Sequence, residues 1–290
     1  MLETAGGEEA TRLFMSSLGR SVTGTGLTFL KDFALHFSRF PYENISKIVK
    51  TANAPDPREC MRLPEEVVID HLEHNFGGTC FSLAFMLERM LRVSGFHCYK
   101  VMADMNSGRN VHCLVMVREG EIRYMIDPGY ALYEVIPIPE EGTRQVTCPH
   151  AMVEVERSGP GAHSEGGVYN VWTTDSTGRK WRYRFRDDPI SDTDYETHWI
   201  ASFSKPTLNH ICLTRITPQG HLYFRKDYSR FASRAAINKQ RVRDGVEKYI
   251  QEEFGIGADW VSLARKILSE RRESSWQRRS DLNRCSWSSE

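Results

Sequence analysis

The sequence predicts an α+β protein with an N-terminal helical part, a mostly β middle and closing helices, and three observations carry that prediction. Apolar and charged residues alternate with helical spacing up to Val93, the period changes to two from Tyr99, and two helical segments return after Gln240. With 290 residues, 40% of them hydrophobic, the chain can bury a substantial core in one large domain or two to three small ones.

The first helix is expected over residues 26–40, ended by Pro41, which lacks the amide hydrogen a helix needs. Pro64-Glu65-Glu66 opens a second, with proline and acids in its first turn, and Asn75-Phe76-Gly77-Gly78 stops it. A third begins at Thr79 or Cys80 and runs to about Val93. Phe81, Leu83, Ala84, Phe85, Leu87, Met90 and Leu91 cover most of its circumference, so it should be buried on nearly every side.

Further on, Val111, Cys113, Val115 and Val117 alternate with His112, Leu114 and Met116, and Ile122, Tyr124 and Ile126 alternate with Arg123, Met125 and Asp127. This predicts a β-hairpin turning near Glu119-Gly120. Strands follow at residues 152–155, 181–185 and 211–224, with a Gly/Ser-rich loop at 158–167. Helices are expected at 240–254 and 260–271, and the polar residues 273–290 read as a disordered tail.

Lysine plus arginine equals aspartate plus glutamate at 38 each, so no long-range field draws the chain toward nucleic acid or an anionic membrane. The acidic first residues do not resemble a signal peptide and no run approaches the length of a membrane span, so a cytoplasmic protein is expected. Seven cysteines scattered singly at positions 60, 80, 98, 113, 148, 212 and 285 do not form a disulfide framework.

Gly77-Gly78-Thr79-Cys80 sets a thiol at the start of a buried helix, where unpaired backbone N–H groups and the helix dipole stabilise a thiolate. The plain alternative is an inert core cysteine. The hairpin supplies a base: a two-residue loop at Glu119-Gly120 would set His112 directly opposite Asp127, close enough for the carboxylate to orient the imidazole. Nucleophile, base and orienter are the three roles that acyl transfer through a thioester requires. Three other readings compete: a transglutaminase-like or cysteine-protease-like amide hydrolase, a structural zinc site of Cys60, His71, His74 and Cys80, whose spacing is poor, and a non-catalytic binding module whose signature would be an unreactive Cys80.

In order along the chain, Phe40-Pro41-Tyr42-Glu43-Asn44-Ile45, Gly77-Gly78-Thr79-Cys80, Val111-His112 and Ile126-Asp127-Pro128-Gly129-Tyr130 resemble motifs of the arylamine N-acetyltransferases. Weaker similarity continues through Trp199, Thr217-Pro218-Gln219-Gly220 and Phe254-Gly255-Ile256. Phe76 and Thr79 depart from the arginine and the larger residue usual there, and Pro128 and Ala131 alter the turn after the aspartate. The resemblance implies a helical domain over 1–98, a central antiparallel β-barrel over 99–207 and an α/β lid over 208–272. It further implies Cys80, His112 and Asp127 as catalytic triad, with Phe40, Gly78, Thr79, Gly129, Tyr130 and Thr207 near the substrate. Acetyl-CoA would be the donor, without a metal, and a small aromatic amine or hydrazine the acceptor; an amide synthase working without coenzyme A is a variant within the family. A monomer or homodimer is expected, with no nucleic-acid or membrane partner.

Overall fold

The computed structural model describes residue 2 and residues 6–20, 24–158 and 166–285, the side chains of 206, 207 and 274–285 excepted. The chain begins with α1 (Glu8–Ser17), α2 (Gly26–Phe37), the short strand β1 (Tyr42–Glu43), α3 (Ile45–Asn53), α4 (Pro64–His74) and α5 (Cys80–Val93). Helix α2 stops three residues earlier than expected, and α4 ends where Asn75 turns left-handed at φ 57°. Helix α5 is the central one. Phe81, Leu83, Ala84, Phe85, Leu87, Met90 and Leu91 are all buried, the six larger ones contributing about 1.5–3 kcal/mol each. Its one buried acid, Glu88, is held by Arg92, Lys100 and Arg89.

Eight antiparallel strands follow: β2 (His97–Met105), β3 (Gly108–Glu119), β4 (Ile122–Asp127), β5 (Leu132–Pro137), β6 (Thr143–Thr147), β7 (Met152–Ser158), β8 (Val168–Asp175) and β9 (Gly178–Arg186). They pair in the order β5-β4-β3-β2-β9-β8-β7-β6 and curve into a nearly closed barrel. One apolar cluster fills it, drawing Val101, Leu114, Met125, Ile136, Val153, Val171 and Tyr183 from seven different strands. The opposite face of β3 and β4, with Cys113, Val115, Val117 and Ile126, packs on α5 in the first core. Strict alternation along β3 therefore places one face in each core.

After α6 (Asp192–Ala201) the chain forms β10 (Cys212–Thr217), β11 (Gly220–Arg225), β12 (Tyr228–Ala232), β13 (Ile237–Arg241), α7 (Val246–Phe254) and α8 (Ala258–Cys285). Residues 211–224 are thus a hairpin, not one strand, turned at Pro218-Gln219. The helix expected from 240 starts only at Val246, because Gly245 at φ 70° separates it from β13. Helix α8 runs to Cys285, through a stretch whose Arg, Glu and Gln are helix formers, and residues 286–290 of the expected tail lie outside the described residues. The second sheet, ordered β1-β10-β11-β12-β13, borrows β1 from the helical part, and Ile45, Ile48 and Phe76 share a core with Leu213, Phe224, Ile250 and Val261.

Candidate active site

Three elements bring Cys80, His112 and Asp127 together. Thr79 caps α5 in extended conformation, so Cys80 is its first helical residue and sits among N–H groups with no intrahelical partner. Two glycines set up that approach: a Cβ on Gly77 would lie 1.8 Å from the Pro41 carbonyl oxygen, and one on Gly78 would lie 2.3 Å from Ser82 Oγ. The loop is anchored to the Pro41-Tyr42-Glu43 segment by Gly78 N–H to Pro41 O at 3.2 Å and Glu43 N–H to Gly78 O at 3.0 Å.

The hairpin register differs from the expected one. Glu119 pairs with Ile122 and Val115 with Ile126, so the loop is Gly120-Glu121. Gly120, at φ 59°, takes the first loop position, where a tight hairpin needs a residue of positive φ. Carried one pair further, this register puts Asp127 opposite Leu114, a diagonal neighbour of His112 rather than its direct partner. A slip of two residues keeps the facing of every side chain, and diagonal neighbours remain within reach of long side chains. His112 Nε2 still donates to Asp127 Oδ2 at 2.7 Å, and both residues are buried. Asp127 Oδ1 accepts from Tyr130 N–H at 2.9 Å, which fixes the carboxylate at the head of the 3-10 turn Pro128–Tyr130.

Electrostatics favour a charged pair. The Cys113 thiol, a hydrogen-bond donor to Cys80, holds the Cys80 thiol well below its usual range against the opposing effect of burial, and His112 adds to the shift. Burial pulls His112 down, but Asp127 and Cys80 outweigh it and raise the imidazole to about 10. Both shifts run in the direction of a thiolate beside an imidazolium.

Gly129 is pressed against both: an added Cβ would meet Cys80 Cβ at 2.4 Å and His112 Cε1 at 3.0 Å. The Tyr130 ring is partly buried, 6.3 Å from the imidazole and 5.7 Å from Tyr183, which itself lies 5.0 Å from His112. Thr79 is buried beside Cys80. Phe40 lies deeper, its ring wholly buried against Phe14, Phe37 and His71 and its carbonyl accepting from Tyr133 Oη at 2.9 Å, so it packs the wall rather than lining open space. Thr207 is on the 3-10 turn Pro206–Asn209, and its side chain is outside the described residues.

The zinc reading fails on geometry. His71 Nδ1 lies 2.8 Å from Phe76 O and the His74 ring lies tilted against Trp260 with centroids 5.3 Å apart, and among the described residues no three metal-binding side chains gather. No helix among the described residues is long and apolar enough to cross a membrane.

A sequence profile described as N-acetyltransferase matches residues 27–262, most of the chain. The chain belongs to the arylamine N-acetyltransferase family. This acetyltransferase is 25% identical over 205 residues to an uncharacterized acetyltransferase, YvcN, of Bacillus subtilis (strain 168), spanning 67% of this chain and 75% of that protein. The arylamine N-acetyltransferase of Mycobacterium abscessus shares its fold with a TM-score of 0.73 at 17% identity, covering 89% of this chain and 94% of that one. That of Salmonella typhimurium does so with a TM-score of 0.68 at 15% identity, covering 90% and 98%. A Bacillus cereus relative described as having a unique Cys-His-Glu catalytic triad overlays with a TM-score of 0.65 at 17% identity, covering 86% and 98%.

Cys113 escaped the sequence reading as a site residue because its place in the alternation marked it as core, which it also is. Tyr183 escaped because β9 carries no local motif. Lys47, on α3, is 7% exposed although no local sequence signal marks it as buried.

Proposed function

We propose that this acetyltransferase moves an acetyl or other short acyl group from acetyl-CoA to the nitrogen of an arylamine, hydrazine or similar acceptor, by a ping-pong mechanism through a Cys80 thioester. The observation that carries the reading is the single chain of contacts Cys80, His112, Asp127 at the head of α5, with the 2.7 Å His112–Asp127 bond at its centre. In the first half-reaction the Cys80 thiolate attacks the thioester carbonyl. The bond from carbonyl carbon to coenzyme A sulfur breaks, and the imidazolium of His112 returns a proton to the departing thiolate. In the second, the acceptor nitrogen attacks the acyl-Cys80 carbon, now-neutral His112 takes its proton, and Cys80 leaves as thiolate.

Asp127 keeps the imidazole oriented and stabilises its charged form throughout. First-turn N–H groups of α5 support the oxyanion of each tetrahedral intermediate; such a donor is worth about 2.7–4 kcal/mol in typical acyl-transfer sites. The test is intact mass after brief exposure to acetyl-CoA, with peptide mapping and Cys80→Ala alongside. One acetyl group on Cys80, absent from the variant, is expected. An unmodified but alkylatable Cys80 would overturn acetyl-CoA as the donor.

A further inference from the structure

Each carbonyl oxygen of the loop leading into Cys80 is already taken. Phe76 O accepts from His71 Nδ1 at 2.8 Å, Gly77 O from Arg62 Nη1 at 2.6 Å, Gly78 O from the Glu43 N–H at 3.0 Å and Thr79 O from the Leu83 N–H at 3.0 Å. On the nitrogen side the Gly78 N–H donates to Pro41 O at 3.2 Å, so the Gly77–Gly78 peptide is held at both ends. Two successive glycines would otherwise leave that peptide free to rotate. A rotated peptide would disturb the first turn of α5, whose N–H groups have to meet the oxyanion as it develops.

One of these ties differs from the rest, because Gly77 O is bound by a guanidinium and not by a backbone N–H or an imidazole. Arg62 lies in the connection between α3 and α4 and is 4% exposed. Its Nη1 also donates to Ser46 Oγ at 2.7 Å and its Nη2 to Asp70 Oδ2 at 2.6 Å, and Glu43 Oε1 lies 3.5 Å from Nη1. Pairing with Glu43 and Asp70 would already balance the buried charge. The bond to Gly77 O is the one that reaches the nucleophile loop, and it is charge-assisted, hence stronger than a neutral one. Phe76, at the start of the loop, packs its side chain against Trp260 in the other core and leaves the polar side of the loop to Arg62.

We infer that Arg62 is a positioning residue for acyl transfer: by holding Gly77 O it fixes the loop peptides and keeps the first-turn N–H groups of α5 aimed at the oxyanion. It acts through the loop, not on the reacting atoms. The inference deepens the acyl-transfer reading and rests on Cys80 being the acylated residue.

Two reactions of the same sulfur separate this role from general support of the fold. Acylation passes through a tetrahedral oxyanion, whereas alkylation by iodoacetamide is a direct displacement at carbon that forms none. In the full-length protein both rates on Cys80 are read from intact mass, with 4-nitrophenyl acetate as an acyl donor that needs no coenzyme A site. In Arg62→Lys a single ammonium cannot span Gly77 O, Ser46 and Asp70 as the planar fork does, so acetylation should fall at least about tenfold while alkylation stays within about twofold of wild type. Should Arg62→Lys fail to fold, Asp70→Ala frees only the outer end of the guanidinium, and acetylation should fall at least about threefold at constant alkylation. Unchanged acetylation in the folded variant overturns the role. A parallel fall of both rates overturns it too, since it would make Arg62 a support of the fold or of the sulfur alone. A wild-type Cys80 that alkylates but accepts no acyl group would instead overturn the acyl-transfer reading beneath it.

Discussion

Asp127 has both oxygens engaged, Oδ2 by His112 Nε2 at 2.7 Å and Oδ1 by the Tyr130 N–H at 2.9 Å. In Asp127→Asn one of those acceptors becomes an amide donor, which cannot serve a second N–H and carries no charge to hold the imidazolium. Acyl transfer should fall about a thousandfold or more while the protein stays folded, measured by turnover beside far-UV circular dichroism. The same charges set a pH range. Cys80 is held well below the usual thiol value of 9.0, and His112 is raised from 6.5 to about 10. The thiolate thus persists as pH falls below 9, down to the lowered value, and the imidazolium persists as pH rises, up to about 10. The stabilisation His112 gains from Asp127 is complete below 6.5 and disappears as pH rises through about 10. Iodoacetamide should therefore alkylate Cys80 at pH 6–7 far faster than an ordinary thiol. A rate that climbs only through pH 9 would show that Cys80 has no such support.

At the scale of elements, the site depends on a turn pressed onto a helix end. The turn Pro128–Tyr130 puts Gly129 so close to α5 that an added Cβ would sit 2.8 Å from Cys80 Cα. Backbone on both sides leaves little room to yield. Gly129→Ala should lower stability by about 1–3 kcal/mol, the usual cost of overpacking, and displace Cys80 from His112. Reduced thermal stability together with loss of Cys80 acylation is the expected pair of results. A variant with normal stability and acylation would mean that the turn gives way freely. The residue after this turn, Ala131, is held left-handed at φ 56° while buried, a conformation that glycine or asparagine would adopt with less strain.

Across the whole molecule, the C-terminal elements back the segment that leads into Cys80. Helix α8 packs on α3, where Arg271 donates to Thr51 Oγ1 at 2.8 Å, and Trp260 lies edge-on to Phe76 with ring centroids 5.4 Å apart. Phe76 immediately precedes the Gly77-Gly78 loop. Removal of residues 258–290 would expose one side of the core shared by Ile48, Phe76 and Ile250. The truncated protein should unfold at a markedly lower temperature and lose Cys80 acylation, although it retains all three residues of the site. A truncation with unchanged melting temperature and acylation would make α8 an accessory.

Local chemistry was enough to read much of this protein. Helices α4 and α5 and the β3–β4 hairpin follow from proline, acids, glycines and a period that switches from 3.6 to 2, all short-range signals. The glycine pair before Cys80, the histidine strand and the aspartate turn were visible for the same reason, each being a few adjacent residues with a definite backbone demand. Tertiary structure decided the rest. The position of Gly120 in its turn shifted the hairpin by two residues, and only side-chain reach across the sheet kept His112 on Asp127. The pairing of β1 with β10, the union of Phe76 with Val261 in one core, and the burial of Lys47 against Ser202 and Phe203 join residues far apart in the chain. Such contacts leave no periodic trace in sequence, because packing between distant elements, and not local propensity, determines them.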